Sequence, residues 1–541
     1  MQICNGGVYC PDVIDEDCLY LNVFVPFPFN TSAPSPVAVY FHGGSWSNGY
    51  SAPFKISNAT NLAANTNTVV VTVNYRLNIF GLLYDDQHSD TLHGNYGVRD
   101  IIKSLHWVHD NIVHFGGDNQ RVTLFGYSVG SGSAAILMTM EDEEIYSLFQ
   151  AAILMSNPFF GAPLRTKYDW NRIPSQIRNY TLCDHTDSDV VVQCLQNINA
   201  SDLYSIAAQV MNEVEYDDEE LIFQALRWTP TIDGELIHNQ PLLAFRENKF
   251  HRTASVMVGS SSDETLGITF GTFQGLDPSY SALRGYVRRI LGNDTADAVL
   301  EWYGVPENVS DVRYPPFASR ITTEGRYICP SYDVIRSIAA HREGVDALSN
   351  SVYHLRYNHI GSMVEEISPA LWLPYCEEAV CHNSENPILW NPPRNDVVNF
   401  TLTEDEVVLS DAMQSHWMRL IETVDSDDVV LWDPFTMDTQ RSMVFSNGSS
   451  MEMVERLDES VCAVWTQIGY SWLPTLEGQS GSSNDGMDSQ DIVLIAGGVI
   501  IAIALLGLMV YVARKKWMRS RERQKESTML LSKWTDELSS H

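Results

Sequence analysis

The sequence predicts an α/β fold built around a largely parallel sheet, and three observations predict it. Extended apolar runs alternate with segments of helical spacing over most of the chain, the pattern of strands joined by helical crossovers. One run, "RVTLFGYSVGSGS" (Arg121–Ser133), passes from β-branched residues through a serine flanked by glycines into small residues, which reads as strand, sharp turn and helix start. With 541 residues, 44% of them hydrophobic and 19% charged, the chain is long and apolar enough to bury a large core.

The elements follow in order. "LYLNVFVP" (Leu19–Pro26), "PVAVYFHGG" (Pro36–Gly44), "TVVVTVNY" (Thr68–Tyr75) and "RVTLFGY" (Arg121–Tyr127) are predicted strands. "GVRDIIKSLHWVHDNIVHF" (Gly97–Phe115) spaces Val98, Ile101, Ile102, Leu105, Val108 and Ile112 as one face of a helix. Ligands in such sheets sit at the carboxyl ends of the strands, which is where Ser128 falls. No internal repeat is present. The net charge of −34 argues against nucleic acid as a partner, because phosphate binding needs basic patches.

Gly126-Tyr127-Ser128-Val129-Gly130 fits G-x-S-x-G, a turn in which side chains in place of the glycines would strike the neighbouring strand and helix. Alone it also fits an ordinary Gly/Ser-rich loop, so the rest of the chemistry must be found. A serine hydroxyl needs a base to take its proton, an acid to orient that base and donors for the oxyanion. "FHGGSW" (Phe41–Trp46) ends a predicted strand with two glycines whose N–H groups can approach a carbonyl oxygen closely. The candidate oxyanion donors are the backbone N–H groups of Gly43, Gly44 and Val129.

With these residues in place the chain resembles the type-B carboxylesterases, the group that includes cholinesterases, carboxylesterases and the neuroligin adhesion proteins. "EDCLYLNVFVP" (Glu16–Pro26), "NYRLNIFGLL" (Asn74–Leu83), "GNYGVRD" (Gly94–Asp100), "FGGDNQRVTLFGYSVGSGS" (Phe115–Ser133), "PTIDGELI" (Pro230–Ile237) and "CAVWTQI" (Cys462–Ile468) carry the resemblance in order and spacing. It implies the α/β-hydrolase fold, a mostly parallel central sheet flanked by helices. It also implies the remaining catalytic groups. "VMVGSSSDETLG" (Val256–Gly267) resembles the segment bearing the family's acid, which matches Glu264, with Asp263 as the neighbouring alternative. "YCEEAVCHNSENPILW" (Tyr375–Trp390) resembles the histidine loop and puts the base at His382. The order Ser, Glu, His suits the fold. The implied chemistry is acyl transfer from an ester, and it calls for no cofactor or metal.

The resemblance further implies disulfides Cys183–Cys194, Cys329–Cys462, Cys376–Cys381 and Cys4–Cys10, with Cys18 tied to a cysteine further upstream. Four positions depart from the family pattern. Tyr127 stands where Glu or Asp is usual, Val129 where Ala is usual, Ser45 at a common third glycine, and Asn383 where glycine often follows the histidine. No tryptophan precedes Trp46, so an aromatic face for choline is not expected. "LSDAMQSHWMRLI" (Leu409–Ile421) and "VERLDESVCAVW" (Val454–Trp465) resemble the helices through which relatives form homodimers.

The chain divides into a hydrolase-like region (1–473), a Gly/Ser-rich stalk (474–491), an apolar stretch (492–513) and a basic tail (514–541). The apolar stretch carries no charge over 22 residues, and at 1.5 Å per residue it reaches about 33 Å, enough to span a lipid bilayer. Basic "RKKWMRSRER" follows it, which predicts a cytoplasmic tail and an extracellular or lumenal catalytic region. Sequons at Asn30, Asn58, Asn179, Asn199, Asn293, Asn308, Asn399 and Asn447 and all nine cysteines precede the stretch, in keeping with that side. "MQICNGGVYC" is no signal peptide and the cysteine count is odd, so a missing N-terminal segment is expected. Two functions compete: a membrane-anchored serine esterase and a neuroligin-like adhesion protein.

Overall fold

The computed structural model describes residues 14–28, 32–51, 58–170, 172–214, 227–273, 279–291, 293–306, 314–342, 351–362, 376–393, 400–422, 431–446 and 450–469. All belong to a unit spanning Met1–Leu473. Cys4, Cys10, Asn30, Asn308, Asn399, Asn447, the stalk, the apolar stretch 492–513 and the basic tail lie outside the described residues. No helix among the described residues is long and apolar enough to cross a membrane.

Nine strands form the main sheet: β1 (Leu21–Phe24), β2 (Ser35–Phe41), β3 (Val69–Val73), β4 (Gly117–Tyr127), β5 (Ala151–Met155), β8 (Ser255–Ser261), β9 (Val352–Asn358), β10 (Arg441–Ser446) and β11 (Met451–Glu455). β6 (Arg165–Thr166) and β7 (Thr231–Ile232) make a separate two-stranded sheet. The main order is β1-β3-β2-β4-β5-β8-β9-β10-β11, with antiparallel pairing only at the two ends, β1/β3 and β10/β11. Each of the four strands predicted in the first third of the chain is present.

The inner strands are apolar on both faces because helices cover both. In β2, Val37, Val39 and Phe41 face one core while Ala38 and Tyr40 face the other. In β5, Ala152 and Leu154 are parted from Ala151, Ile153 and Met155 in the same way. The helix Tyr96–Asn111 buries Val98, Ile101, Leu105 and Val108, the face its spacing predicts. The segment from Val454 is different. It starts as the last strand, where Met453 pairs with Met443, turns at Arg456 (φ 54°), and becomes helical only at Glu459.

The structure pairs Cys183 with Cys194, Cys329 with Cys462 and Cys376 with Cys381. The second bridge spans 133 residues and joins the helix Cys329–Arg342 to the helix Glu459–Ile468. By chain entropy a loop of that length is worth about 5 kcal/mol. Among the sequons, Asn179 and Asn199 are exposed and Asn58 is half-buried. Asn199 caps the helix Ala200–Glu213 through its side-chain oxygen.

Position follows from strand order. The chain runs from β2 outward to β3, then crosses back to lay β4 on the other side of β2. Two connections leave in opposite directions there, so a crevice opens at the carboxyl ends of β2 and β4. Gly43 and Gly44 follow β2, and Ser128 follows β4.

Candidate active site

Ser128 sits between β4 and the helix Val129–Met138 with φ 55° and ψ −128°, in the left-handed half of conformational space. A strained non-glycine residue costs about 1–3 kcal/mol and persists only where the surroundings impose it. The surroundings here are tight. A Cβ at Gly126 would lie 2.4 Å from Gly130 O and from Ser131 Cα, and one at Gly130 would lie 2.0 Å from Phe41 O. Strand and helix therefore close on each other with no room for side chains, and the turn between them is forced. Ser128 N donates to Met155 O (2.9 Å) and Gly132 N donates to Ser128 O (3.0 Å), fixing the turn at both ends.

The candidate base and acid meet. His382 Nδ1 donates to Glu264 Oε2 at 2.5 Å, and His382 N reaches the Glu264 carbonyl at 3.3 Å. The second carboxylate oxygen, Oε1, accepts from Ser156 Oγ (2.6 Å) and Ser261 N (2.7 Å). Glu264 is 1% exposed, so its charge is held by hydrogen bonds rather than water. Asp263 plays a different part. Its N donates to Val380 O (3.0 Å) and its Oδ2 accepts from Val380 N (3.2 Å), which stitches the acid loop to the histidine loop. With Nδ1 donating to the carboxylate, Nε2 is the nitrogen left to take a proton. The Cys376–Cys381 bridge closes the turn just before His382.

Asn383 explains one departure from the family pattern. Its φ is 80°, where glycine is cheapest and asparagine is among the better-tolerated side chains.

Gly43 lies against Ser128, since a Cβ there would be 2.9 Å from Ser128 Cβ. Gly44 has φ 122°, and Ser45 and Trp46 are also left-handed, so the loop after β2 is a run of forced turns. His42 anchors it. Its Nδ1 donates to Gly43 O (2.7 Å), its own carbonyl accepts from Tyr75 OH (2.5 Å), and its ring stacks on Tyr75 at 4.4 Å. Burial pushes His42 down to about 4, so it stays neutral. Val129 is the first residue of its helix, where N–H groups have no intrahelical acceptor.

Ser128 Oγ makes no hydrogen bond to His382 among the described residues. The residue before it, Tyr127, has its ring 4.9 Å from the His382 ring. Nucleophile–base contacts commonly tighten only when substrate binds. Four residues escape sequence reasoning: Ser156, Ser261, Tyr327 and Glu385. Tyr327 packs on His382 at 5.4 Å. Glu385 is buried, accepts from Ser261 Oγ (3.3 Å), and is pushed up to about 8 by burial and then by the charge of Glu264. The Glu-x-Pro after His382 was the available signal for Glu385; the serines and Tyr327 carry none. No group of three or more His, Cys, Asp or Glu among the described residues is arranged to hold a metal.

Parallel strands covered on both faces by helices, with a strained serine where strand order reverses, are the arrangement of the α/β-hydrolases. Within that class the chain belongs to the carboxylesterase family, whose profile matches residues 4–465. It is 26% identical over 480 residues to the crystal protein of Dictyostelium discoideum, covering 87% of this chain and 81% of that one. It is 27% identical over 464 residues to rat (Rattus norvegicus) liver carboxylesterase 1F, covering 84% and 78%. To mouse (Mus musculus) neuroligin-3 it is 26% identical over 462 residues, covering 77% and 51%.

Proposed function

We propose that this chain is a serine carboxylic-ester hydrolase that works through an acyl-enzyme. Ser128 attacks the ester carbonyl while His382 Nε2 takes its proton. The N–H groups of Gly43, Gly44 and Val129 receive the tetrahedral oxyanion. His382 then protonates the departing alkoxide, and water repeats the cycle to release the acid. Glu264 fixes the imidazole tautomer and offsets its positive charge. The observation that carries the reading is the His382 Nδ1–Glu264 Oε2 contact beside the strained Ser128 turn. One oxyanion donor in such a site is worth about 3 kcal/mol.

The apolar stretch 492–513 would anchor the esterase in a membrane as a single-pass protein, with the catalytic region extracellular or lumenal and the basic tail inside. A homodimer through the helices Glu404–Met418 and Glu459–Ile468 fits the same reading. The similarity to neuroligin-3 favours a second reading, an adhesion or receptor protein on the same fold. A fluorophosphonate probe separates the two. Labelling of the glycosylated protein that Ser128→Ala abolishes supports the esterase. Absence of labelling in folded protein sinks it and favours adhesion.

A further inference from the structure

The His382 imidazole has two aromatic neighbours. The Tyr127 ring is 4.9 Å from it, tilted by 39°, and the Tyr327 ring is 5.4 Å away, tilted by 57°. The two come from unrelated parts of the fold. Tyr127 ends β4, immediately before the nucleophile. Tyr327 lies in a π-helical turn, Glu324–Ile328, that runs into the helix Cys329–Arg342. Such wide turns are rare and gather at functional sites.

This turn is held from several directions. A Cβ at Gly325 would come 2.3 Å from the Trp465 ring, and one at Gly161 would come 2.4 Å from Arg326 Cα, so the backbone is clasped between its neighbours. The Cys329–Cys462 bridge follows directly. Both tyrosines are buried, and burial pushes both hydroxyls well above their ordinary range, so they are neutral.

We propose that Tyr127 and Tyr327 form an aromatic clamp that favours the charged form of His382 as it takes the Ser128 proton, and so act as positioning residues in acyl transfer. The imidazole is neutral before the attack and cationic at the tetrahedral stage. Glu264 meets that charge at Nδ1, and the clamp meets it through the π systems of two rings. Both lie inside the roughly 6 Å over which a ring attracts a cation. A carboxylate at position 127 would favour the cation by charge, but it would stand beside Glu264 and Glu385. A tyrosine ring does so without a third negative group. The carboxylate on the imidazole is Glu264 from the loop after β8; Ser261 bonds both Glu264, through its N–H, and Glu385, through its hydroxyl, and Arg326 acts on Tyr327.

The inference rests on the esterase reading, and the test keeps the two apart. Tyr→Phe and Tyr→Leu variants at 127 and 327 of the full chain are assayed for kcat and KM against pH with p-nitrophenyl acetate. The His382 ring is followed by NMR titration, its signal assigned by loss in His382→Gln. Leucine variants are expected to lose about 3- to 30-fold in kcat with KM nearly unchanged. The acid limb of kcat should move to lower pH, and the NMR titration should move with it. Phenylalanine variants should stay within about two-fold of the parent, since they keep the ring. The clamp is overturned if leucine variants keep full kcat, lose it with an unmoved titration, or are matched in their loss by phenylalanine. If leucine prevents folding, pentafluorophenylalanine at 327 keeps the shape and reverses the ring's charge distribution. It should behave as expected for leucine, and parent-like behaviour overturns the clamp. Parent protein that neither hydrolyses the ester nor labels at Ser128 overturns the esterase reading, while the NMR arm still reports on the clamp.

Discussion

His354 and His382 each lie within reach of a carboxylate and each is grouped with a serine, one inside the sheet beside Ser442 and one at its carboxyl edge, where Ser128 follows β4. On β9, His354 Nδ1 is 2.8 Å from Ser442 Oγ, its register partner on β10, and His354 Nε2 is 4.0 Å from Asp458 Oδ2. That carboxylate accepts from Arg356 Nη2 at 2.8 Å. All three members are buried, and Ser442 has the regular backbone of a strand. The His382 cluster inverts each feature. Its acid is bonded to Nδ1, the imidazole keeps 19% of its side-chain surface open, and its serine is lifted by a strained turn at the strand-order reversal. Residue types are shared between the clusters. What differs is access, strain and which nitrogen the acid holds, and those decide whether a proton can be passed to a substrate.

The largest expected contrast is at the serines. Ser128→Ala should lower kcat/KM for an activated ester by about 10⁴-fold or more, as loss of a nucleophile does in triad enzymes. Ser442→Ala should leave it within about two-fold, since a side chain sealed in a ladder has no route to substrate. Steady-state kinetics on both variants decides. An inactive Ser442→Ala with normal unfolding behaviour would mean that the buried cluster participates.

The acids come next. Glu264→Gln keeps the shape but takes away the charge that holds the tautomer, and a loss of about 10³- to 10⁴-fold in kcat is expected. Asp458→Asn should hardly move kcat. It should instead lower the free energy of unfolding by about 3 kcal/mol, because Arg356 is left buried without its counter-charge. Urea unfolding beside kinetics separates the two outcomes. A kinetic defect in Asp458→Asn at unchanged stability would break the comparison.

How much of this was legible in the sequence follows from the same contrast. The Ser128 turn could be read because its glycines are close together in the chain and their steric reason is local. Glu264 and His382 could be matched only by resemblance. They are 118 residues apart, and nothing periodic announces that loops after β8 and before the Asn386–Trp390 helix will meet. Ser156 and Ser261 stayed hidden because a serine at a strand end is common, and only the folded sheet brings the Ser156 hydroxyl and the Ser261 N–H to one carboxylate oxygen. The His354 cluster was invisible for the opposite reason. His354 and Ser442 are register partners on ordinary strands and read as core positions, and Asp458 reads as a helix start.

A smaller effect sharpens the catalytic side. Folded Glu385 is raised to about 8 from an ordinary 4.5, so between those values the folded state holds a proton that the unfolded chain has lost. The corresponding stability is fully present below about 4.5 and is lost as pH rises toward 8, amounting to about 3 kcal/mol between pH 5 and 7. Glu385→Gln carries no proton to lose. Its unfolding free energy should therefore fall less than the parent's over that range. Parallel curves would show that Glu385 is charged in the fold.

The smallest effect belongs to His354, and it runs the other way. Burial holds its folded value at about 4 against an ordinary 6.5, so between these values the unfolded chain binds a proton and the folded one does not. Its stability contribution is whole above about 6.5 and is lost as pH falls toward 4, reaching about 2 kcal/mol by pH 5. His42, lowered to about 4 as well, adds a loss of the same sign. His354→Gln should remove only its own share, giving a shallower decline between pH 7 and 5 in urea titrations while kcat at pH 7 stays near the parent's. An unchanged slope would mean that His354 takes up a proton inside the fold, with Asp458 as its partner. The buried cluster would then be an ion pair and no longer a silent counterpart to the one at the sheet's edge.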